Sequence, residues 1–184
     1  MPDRGLQRII YKWRVRITLL FAILAAVLAK PELWSILTGM GLTVIGLTIR
    51  TWACGHLIKE KELTTSGPYR FTRNPLYFGN LMIGMGIVIG SQSWWVLASA
   101  FVVFGIFYPV IIQSEKQKME ALFPSQYPEY SRQVPLFFPS YFTTWPRQKA
   151  RFHWDRHKKN REIRAIIGSG FFWLALTAKF LFFS

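Results

Sequence analysis

Five long apolar runs, almost free of charge, constrain this chain more than any other feature. They extend over residues 17–29, 33–49, 76–90, 94–112 and 165–183. A helix needs roughly 20 apolar residues to cross the hydrocarbon core of a bilayer, and several of the runs approach that length. A soluble chain of 184 residues has no core large enough to bury them all. The sequence therefore predicts a single membrane domain over residues 1–184, an all-α bundle of about five transmembrane helices.

The first run is short for a membrane span and follows basic residues, as the apolar core of a signal peptide does. No small-residue cleavage site stands out after it, however, and a second apolar run begins almost at once. Pro31 and Glu32 are typical of a tight turn. We therefore expect the first two runs to form a transmembrane hairpin of the mature protein.

Basic residues indicate how the bundle is oriented. The chain has 23 Lys and Arg against 9 Asp and Glu, a net charge of +14. The lysines and arginines concentrate before the first run, after the second and after the fourth. Of the two alternate loops, one has Lys30 as its only basic residue and the other is the uncharged segment 91–93. Cytoplasmic loops of membrane proteins carry such an excess. The sequence predicts a cytoplasmic N-terminus and two long cytoplasmic loops, in the inner or plasma membrane if the protein is bacterial.

The densest basic segment, residues 147–164, directly precedes the last apolar run. Such a cluster can bind nucleic acid, but next to a membrane span it usually attracts anionic lipid head groups. We expect anionic lipid, and no nucleic acid, as its partner. This basic segment and the last apolar run together form residues 147–184. They follow residues 50–139, which contain the sequence motifs described below.

Both long loops are richer in proline and aromatic residues than simple connections. Residues 51–75 contain the turn signal Gly67-Pro68 and the helix-start signal Asn74-Pro75. Residues 113–140 begin as a helical extension that Pro124 ends, and they continue with Tyr127 and Tyr130. Two readings remain open from the residues alone: the loops merely join helices, or they form ordered caps around one pocket at the membrane interface.

Glycines recur in the second and third runs, at positions 39, 41 and 46 and at 79, 84, 86 and 90. Small residues let membrane helices approach closely, so we expect these two helices to pack together. Cys54, the only cysteine, is expected to be a small buried residue. His56 and Cys54 are too few ligands for a metal site, so no metal is predicted and His56 is expected to be hydrogen-bonded. Lys179 is expected to extend outward to the membrane surface.

Two blocks of spaced residues carry a family resemblance. The first reads Gly67-Pro68-Tyr69 and Arg73-Asn74-Pro75-Leu76-Tyr77-Phe78-Gly79; the second comprises Glu115-Lys116, Met119, Phe123-Pro124, Tyr127, Tyr130, Val134-Pro135 and Pro139. In order and spacing, residues 50–139 resemble the isoprenylcysteine carboxyl methyltransferase and phospholipid methyltransferase superfamily.

The chain departs from the family pattern at several positions. Asn74 replaces the family histidine, Lys116 replaces the second glutamate and Pro124 replaces a glycine. Ile111 stands where the prenylcysteine enzymes have a substrate-binding arginine. The last departure weakens the case for a prenylcysteine carboxylate as the substrate.

The resemblance implies a membrane methyltransferase that uses S-adenosylmethionine as its cofactor. The lipophilic acceptor would be an isoprenylcysteine-like carboxylate or a phospholipid amine. The contacts that it implies for the cofactor are Lys61, Glu62, Leu63, Thr64, Tyr69, Asn74, Pro75, Leu76, Tyr77 and Glu115. A carboxylate suits the cofactor's amino group or ribose hydroxyls, and aromatic faces attract a sulfonium. No His/Asp pair is obvious near the motif, so no catalytic base is assigned.

Purely structural roles for some of these residues, and two other functions for the protein, remain open from the sequence. Glu115 can be a surface carboxylate paired with Lys116 or Lys118, and Tyr69 and Tyr77 can belong to an interfacial aromatic belt. Sterol reductases resemble the same superfamily, which makes an NADPH-dependent membrane reductase one alternative. A non-catalytic lipid-binding membrane protein is the other. The sequence leaves the oligomeric state undetermined.

Overall fold

The computed structural model describes residue 16 and residues 19–58, 62–146, 152–155 and 162–183. Within these ranges the chain forms six α-helices and no strand. The helices are α1 (Leu19–Leu28), α2 (Leu33–His56), α3 (Pro75–Ser91), α4 (Trp94–Leu122), α5 (Tyr127–Gln133) and α6 (Ile163–Phe183). A single 3-10 turn, Gly67–Arg70, lies between α2 and α3.

Each predicted apolar run forms a helix, which confirms the all-α membrane bundle. Three helices, α2, α4 and α6, are long and apolar enough to cross a bilayer, whereas α1 and α3 are shorter apolar helices. Large apolar side chains such as Trp94, Phe101 and Leu174 are exposed around the outside of the bundle. A continuous apolar surface of this kind is the one that a lipid environment covers. Most of the basic segment after residue 146 lies outside the described residues.

The predicted hairpin turn between α1 and α2 is present at residues 29–32. The Glu32 amide donates to Ser35 Oγ at 3.1 Å, and Ser35 Oγ donates back to the Glu32 carbonyl at 2.9 Å. These bonds satisfy polar groups at the start of α2. The Lys30 amide donates to the Ser91 carbonyl at 2.8 Å, so the turn also joins the end of α3.

Helices α2 and α3 approach so closely that only glycine fits at their crossing. A methyl group built on Gly46 would lie 2.6 Å from the Gly79 carbonyl oxygen, and one on Gly39 would lie 2.5 Å from the Gly86 carbonyl oxygen. Small residues at such positions let the backbones pack without intervening side chains. The predicted contact between these two helices is therefore confirmed, although Gly41 has open space around it.

Helix α4 contains a wider, π-helical turn at Val103–Phe107, which ends two residues before Pro109 of the following α-helical stretch. The ring of Phe104 lies against Gly84, where an added methyl group would be 2.4 Å from its Cζ atom, so the turn faces α3. Beyond the apolar part, α4 continues to Leu122 and ends before Pro124, as the sequence predicts.

Helix α6 packs against α1 and α2 through both apolar and polar contacts. Trp173 and Leu176 are buried in the apolar core together with Phe21 of α1. The Trp173 indole donates to Thr43 Oγ1 of α2 at 3.1 Å. Lys179 Nζ donates to the carbonyl oxygens of residues 26 and 27, at 3.1 and 2.7 Å. The ammonium group of Lys179 thus binds the carboxyl end of α1, where the helix dipole favours a cation, and its extension to the membrane surface stays a prediction.

The close crossing of α2 and α3 makes a testable prediction about Gly46. Gly46→Ala places a methyl group against the backbone of α3 and should reduce the free energy of unfolding by about 1–3 kcal/mol. Gly41→Ala, in the same helix with open space around it, is the matched control and should have little effect. Thermal unfolding of both variants in detergent checks this, and equal stability of the two would contradict the packing.

Candidate functional site

The two long loops form one layer over an end of the bundle, and we call this layer the cap (residues 62–74 and 123–146). Backbone and side-chain hydrogen bonds join the two segments. The Arg73 amide donates to the Pro135 carbonyl at 2.9 Å, and Thr72 Oγ1 donates to the Phe137 carbonyl at 2.7 Å. The Ser140 amide donates to the Phe71 carbonyl at 2.9 Å. The loops are therefore ordered caps rather than simple connections.

An aromatic cluster holds the cap together from inside. Tyr127, Tyr130 and Val134 are buried, and Leu63 and Trp145 pack against them. Arg73 lies over the ring of Tyr127, with its Cζ atom 5.7 Å from the ring centroid, and its Nη1 donates to the Tyr127 hydroxyl at 3.1 Å. Residues from both sequence blocks thus share one small core.

Tyr69 is the residue of the 3-10 turn that most clearly points to a ligand. Its carbonyl accepts a hydrogen bond from the Tyr130 hydroxyl at 2.6 Å, which holds its backbone in place. Its own hydroxyl is buried and has no hydrogen-bond partner in the described residues. Burial raises the pKa of Tyr69 well above its ordinary value, and the neighbouring Cys54 and Tyr130 add to the rise. The phenol is therefore a neutral donor, and leaving it unpaired is costly unless a ligand or water binds it.

Other buried polar atoms of the cap share this condition. Thr65 Oγ1, Arg73 Nε and Trp145 Nε1 are buried and lack a partner within the described residues. Native proteins leave few such atoms unpaired. Their concentration in the cap, together with the Tyr69 hydroxyl, is the arrangement expected of a layer that binds a polar molecule.

The start of α3 offers fewer donors than the sequence indicates. Asn74 precedes the helix, and its Nδ2 donates to the Leu136 carbonyl at 2.9 Å. The Asn74 amide donates to Thr72 Oγ1, and the amides of Tyr77 and Phe78 donate to the Asn74 carbonyl. Pro75 is fully buried and has no amide hydrogen. Asn74 and Pro75 therefore shape this helix start at least as much as they present groups to a ligand.

Four further predicted contacts lie in the stretch 61–64. Leu63 packs in the aromatic cluster, and Thr64 Oγ1 accepts from the Ile58 amide at 3.1 Å. Glu62 is exposed, and Lys61 lies outside the described residues.

Tyr77 connects the start of α3 to α4. Its ring lies 5.7 Å from that of Tyr108, edge to face. Glu115 is partly buried on the same helix, seven residues after Tyr108. Seven residues are about two helical turns, so Glu115 lies on the side of α4 that faces Tyr77, nearer the cap.

A buried ion pair beside these residues was missed by sequence reasoning. Arg50, near the end of α2, donates from Nε to Glu162 Oε1 at 2.6 Å and from Nη2 to Oε2 at 2.7 Å. Its Nη1 donates to Asn80 Oδ1 and to the Leu76 carbonyl, the latter at 3.4 Å. The Glu162 side chain is only 1% exposed. The one available signal is that Glu162 is one of only two carboxylates in the basic segment 147–164, the other being Asp155, and that it comes directly before an apolar run.

The two potential metal ligands of α2 have other roles. Cys54 is buried and its thiol donates to Glu162 Oε2 at 3.3 Å. His56 is buried, with Nδ1 3.1 Å from Ser66 Oγ, so the expectation of a hydrogen-bonded histidine is confirmed. In the part of the chain that the structure describes, no three His, Cys, Asp or Glu residues group as a metal site would require.

The helices and the cap define an integral membrane protein with a polar layer over one end of its bundle. Residues 34–126, half of the chain, match the family described as phospholipid methyltransferase. The chain belongs to this family, which confirms the resemblance seen in its motifs.

Two relatives carry names that refer to heavy metals. The chain is 32% identical over 137 residues to the cobalt-zinc-cadmium resistance protein CzcN of Cupriavidus metallidurans. It is 29% identical over 134 residues to the nickel-cobalt-cadmium resistance protein NccN of Alcaligenes xylosoxydans xylosoxydans. Each match covers 69% of this chain and 62% of the relative, so the chain spans less than two thirds of their length. No solved structure matches the chain.

The bond between Tyr130 and Tyr69 allows a test of the cap. Tyr130→Phe leaves the buried Tyr69 carbonyl without its donor and should reduce the free energy of unfolding by about 1–3 kcal/mol. Tyr141→Phe removes the hydroxyl of an exposed tyrosine of the same cap and serves as the control. Chemical unfolding of both variants measures the difference. A loss no larger than that of Tyr141→Phe would show that the bond does not hold the cap.

The buried tyrosines also make stability depend on alkaline pH. Burial raises the pKa of Tyr69 and Tyr130 above the ordinary 10.0. Above about pH 10 the unfolded chain loses these protons while the folded protein keeps them, so the unfolded state binds fewer protons. The unfolding free energy is therefore retained below about pH 10 and falls above it, by about 1.4 kcal/mol per pH unit for each such tyrosine. Unfolding of the wild type and Tyr130→Phe from about pH 8 to pH 11 should give a steeper decline for the wild type. Parallel declines would contradict the assignment to Tyr130.

Proposed function

We propose that this protein transfers a methyl group from S-adenosylmethionine to a lipophilic acceptor at the membrane interface. Membership of the phospholipid methyltransferase family supports methyl transfer in general. The single observation that supports cofactor binding is the hydroxyl of Tyr69, within the family motif, which is buried and has no hydrogen-bond partner in the described part of the chain. A neutral phenol in this position is suited to a polar ligand that replaces the missing hydrogen bond.

Residues of the cap and of the adjoining helices fit the chemistry of S-adenosylmethionine. The cofactor supplies an electrophilic methyl group on a sulfonium, which a nucleophilic acceptor takes by in-line displacement. The rings of Tyr77 and Tyr108 offer aromatic faces to a cation. Glu115 offers a carboxylate to an amino group or ribose hydroxyls. The cap excludes water from the reacting groups, and Thr65 and Trp145 offer further polar atoms to the ligand.

The acceptor is a lipid or another hydrophobic molecule, an isoprenylcysteine-like carboxylate or a phospholipid amine. The cap lies on apolar helices whose outer surfaces face lipid, so an acceptor reaches it from within the bilayer. Because a carboxylate attacks without losing a proton and an amine must first be deprotonated, only the second requires a base.

We further propose that the cap faces the cytoplasm. The excess of lysine and arginine in the N-terminal segment and the two long loops supports this orientation. The basic segment before α6 then lies at the cytoplasmic leaflet, where it attracts anionic lipid head groups. Protease accessibility of tags at either terminus of right-side-out and inverted vesicles tests the orientation.

Calorimetric titration of the purified protein with S-adenosylmethionine, its demethylated product and NADPH tests the function. The wild type should bind the first two saturably. Tyr69→Phe should weaken binding by about threefold to tenfold, the value of one hydrogen bond. Glu115→Ala should weaken it as well. Because the Tyr69 hydroxyl has no partner in the described residues, Tyr69→Phe should not lower the thermal stability without ligand.

Each alternative has its own outcome in this titration. Binding of NADPH in place of S-adenosylmethionine would identify a reductase instead. Well-folded protein that binds none of the three would favour a non-catalytic lipid-binding protein and would overturn the methyltransferase proposal.

A second candidate concerns the process that the reaction serves. Both relatives are named as heavy-metal resistance proteins, and on that ground we propose that methylation by this chain contributes to metal resistance. Growth of a metal-sensitive host in cobalt, zinc or cadmium, with the wild-type protein or Tyr69→Phe, tests this. Equal growth with the wild type and with an empty vector would remove the candidate.

A further inference from the structure

We propose that Glu162 and Arg50 are positioning residues for the cofactor site, so that Glu162, the residue directly before α6, is part of the methyltransferase machinery. This inference rests on the proposed function. Both residues lie outside the two motif blocks. Arg50 comes before the first block, and Glu162 comes more than twenty residues after the end of the second. The hydrogen bonds of the pair join α2, which carries Arg50, to the start of α3 and to Glu162, directly before α6.

The guanidinium of Arg50 is fully engaged. It makes two parallel bonds to the Glu162 carboxylate, at 2.6 and 2.7 Å, and its Nη1 turns to the opposite side to contact α3. Parallel bonds of this kind fix both distance and orientation. The Glu162 side chain is 1% exposed and the Arg50 side chain 16%, so water and salt screen the pair less than they screen a surface pair. Arg50 therefore acts as a rigid link between Glu162 and α3.

The link ends on the first turn and a half of α3. Nη1 donates to the Leu76 carbonyl at 3.4 Å and to Asn80 Oδ1. Leu76 lies between Pro75 and Tyr77, so the bond reaches the stretch that the resemblance implies in cofactor binding. A displacement of this turn moves Asn74 and Tyr77 with it, because they share its backbone. Misplacing binding groups by about 1 Å can cost a factor of 100 in rate.

The motif glycine Gly79 is explained by the same link. A methyl group at Gly79 would lie 2.5 Å from Arg50 Cγ, so the arginine stem occupies the space that a side chain would fill. The glycine thus makes room for the group that holds α3, and the link depends on both helices.

Lys179 provides a natural control for the role of Glu162. It anchors the other end of α6 through two hydrogen bonds, both of which go to α1. Loss of either anchor should lower thermal stability, but only loss of Glu162 should disturb the cofactor site. A purely structural role would give the two residues the same behaviour.

The experiment compares S-adenosylmethionine dissociation constants, well below the unfolding temperature, for the wild type, Glu162→Gln, Glu162→Asp, Asn80→Ala and Lys179→Met. Glu162→Gln should raise the dissociation constant at least about tenfold, because the carboxylate no longer fixes Arg50. Glu162→Asp keeps the charge and should recover part of the affinity. Lys179→Met should bind as the wild type does.

Asn80→Ala removes the side-chain bond of the link on α3 and leaves only the longer bond to the Leu76 carbonyl, while the ion pair stays intact, and it too should weaken binding. This variant decides the question if Glu162→Gln does not fold. Wild-type affinity in Glu162→Gln and Asn80→Ala, or equal loss in Lys179→Met, would overturn the inference. A wild-type protein that fails to bind S-adenosylmethionine would instead overturn the proposed function, so the two failures are distinguishable.

Discussion

The close crossing of α2 and α3 is the constraint on which the rest of the molecule depends. Gly46 and Gly79 bring the two backbones together where a larger residue would collide. Because of the crossing, Arg50 of α2 lies against the start of α3. The 3-10 turn that carries Tyr69 packs against α2 as well. Bilayer lipid gives apolar helices little reason to associate, so complementary small residues and polar bonds must supply the specificity.

Much of the fold could be predicted because a bilayer leaves few solutions for an apolar chain. Every backbone polar group in the hydrocarbon region must be paired within the segment, so long apolar runs become helices. The turn at Pro31 and the end of α4 before Pro124 follow from the chemistry of proline, which local sequence shows directly. The buried cysteine and the hydrogen-bonded His56 were also predictable from residue type and number.

The parts that were missed depend on residues far apart in the chain. Glu162 meets Arg50 across 112 positions, and no local pattern marks a carboxylate that neutralises a cation of another helix. The bonds from the Lys179 ammonium group to two carbonyl oxygens at the end of α1 were likewise not visible in the local sequence. The candidate site was predicted by family resemblance. Which of its members have a buried polar atom without a partner among the described residues, as Tyr69 does, could be learned only from three-dimensional contacts.

The wide turn at Val103–Phe107 affects how the two halves of α4 are related in rotation. A π-helical turn holds one more residue than the α-helical ladder around it, and each residue of an α-helix turns the chain by about 100°. Phe104 and Tyr108 can therefore both lie toward α3 and Tyr77 while Glu115 follows on the side set by Tyr108. A regular α-helix through the same residues would turn the part of α4 after Phe107 further, by most of the 100° that one residue contributes, and Glu115 would then point elsewhere. The width of the turn at Val103–Phe107 thus helps to set the direction in which Glu115 points.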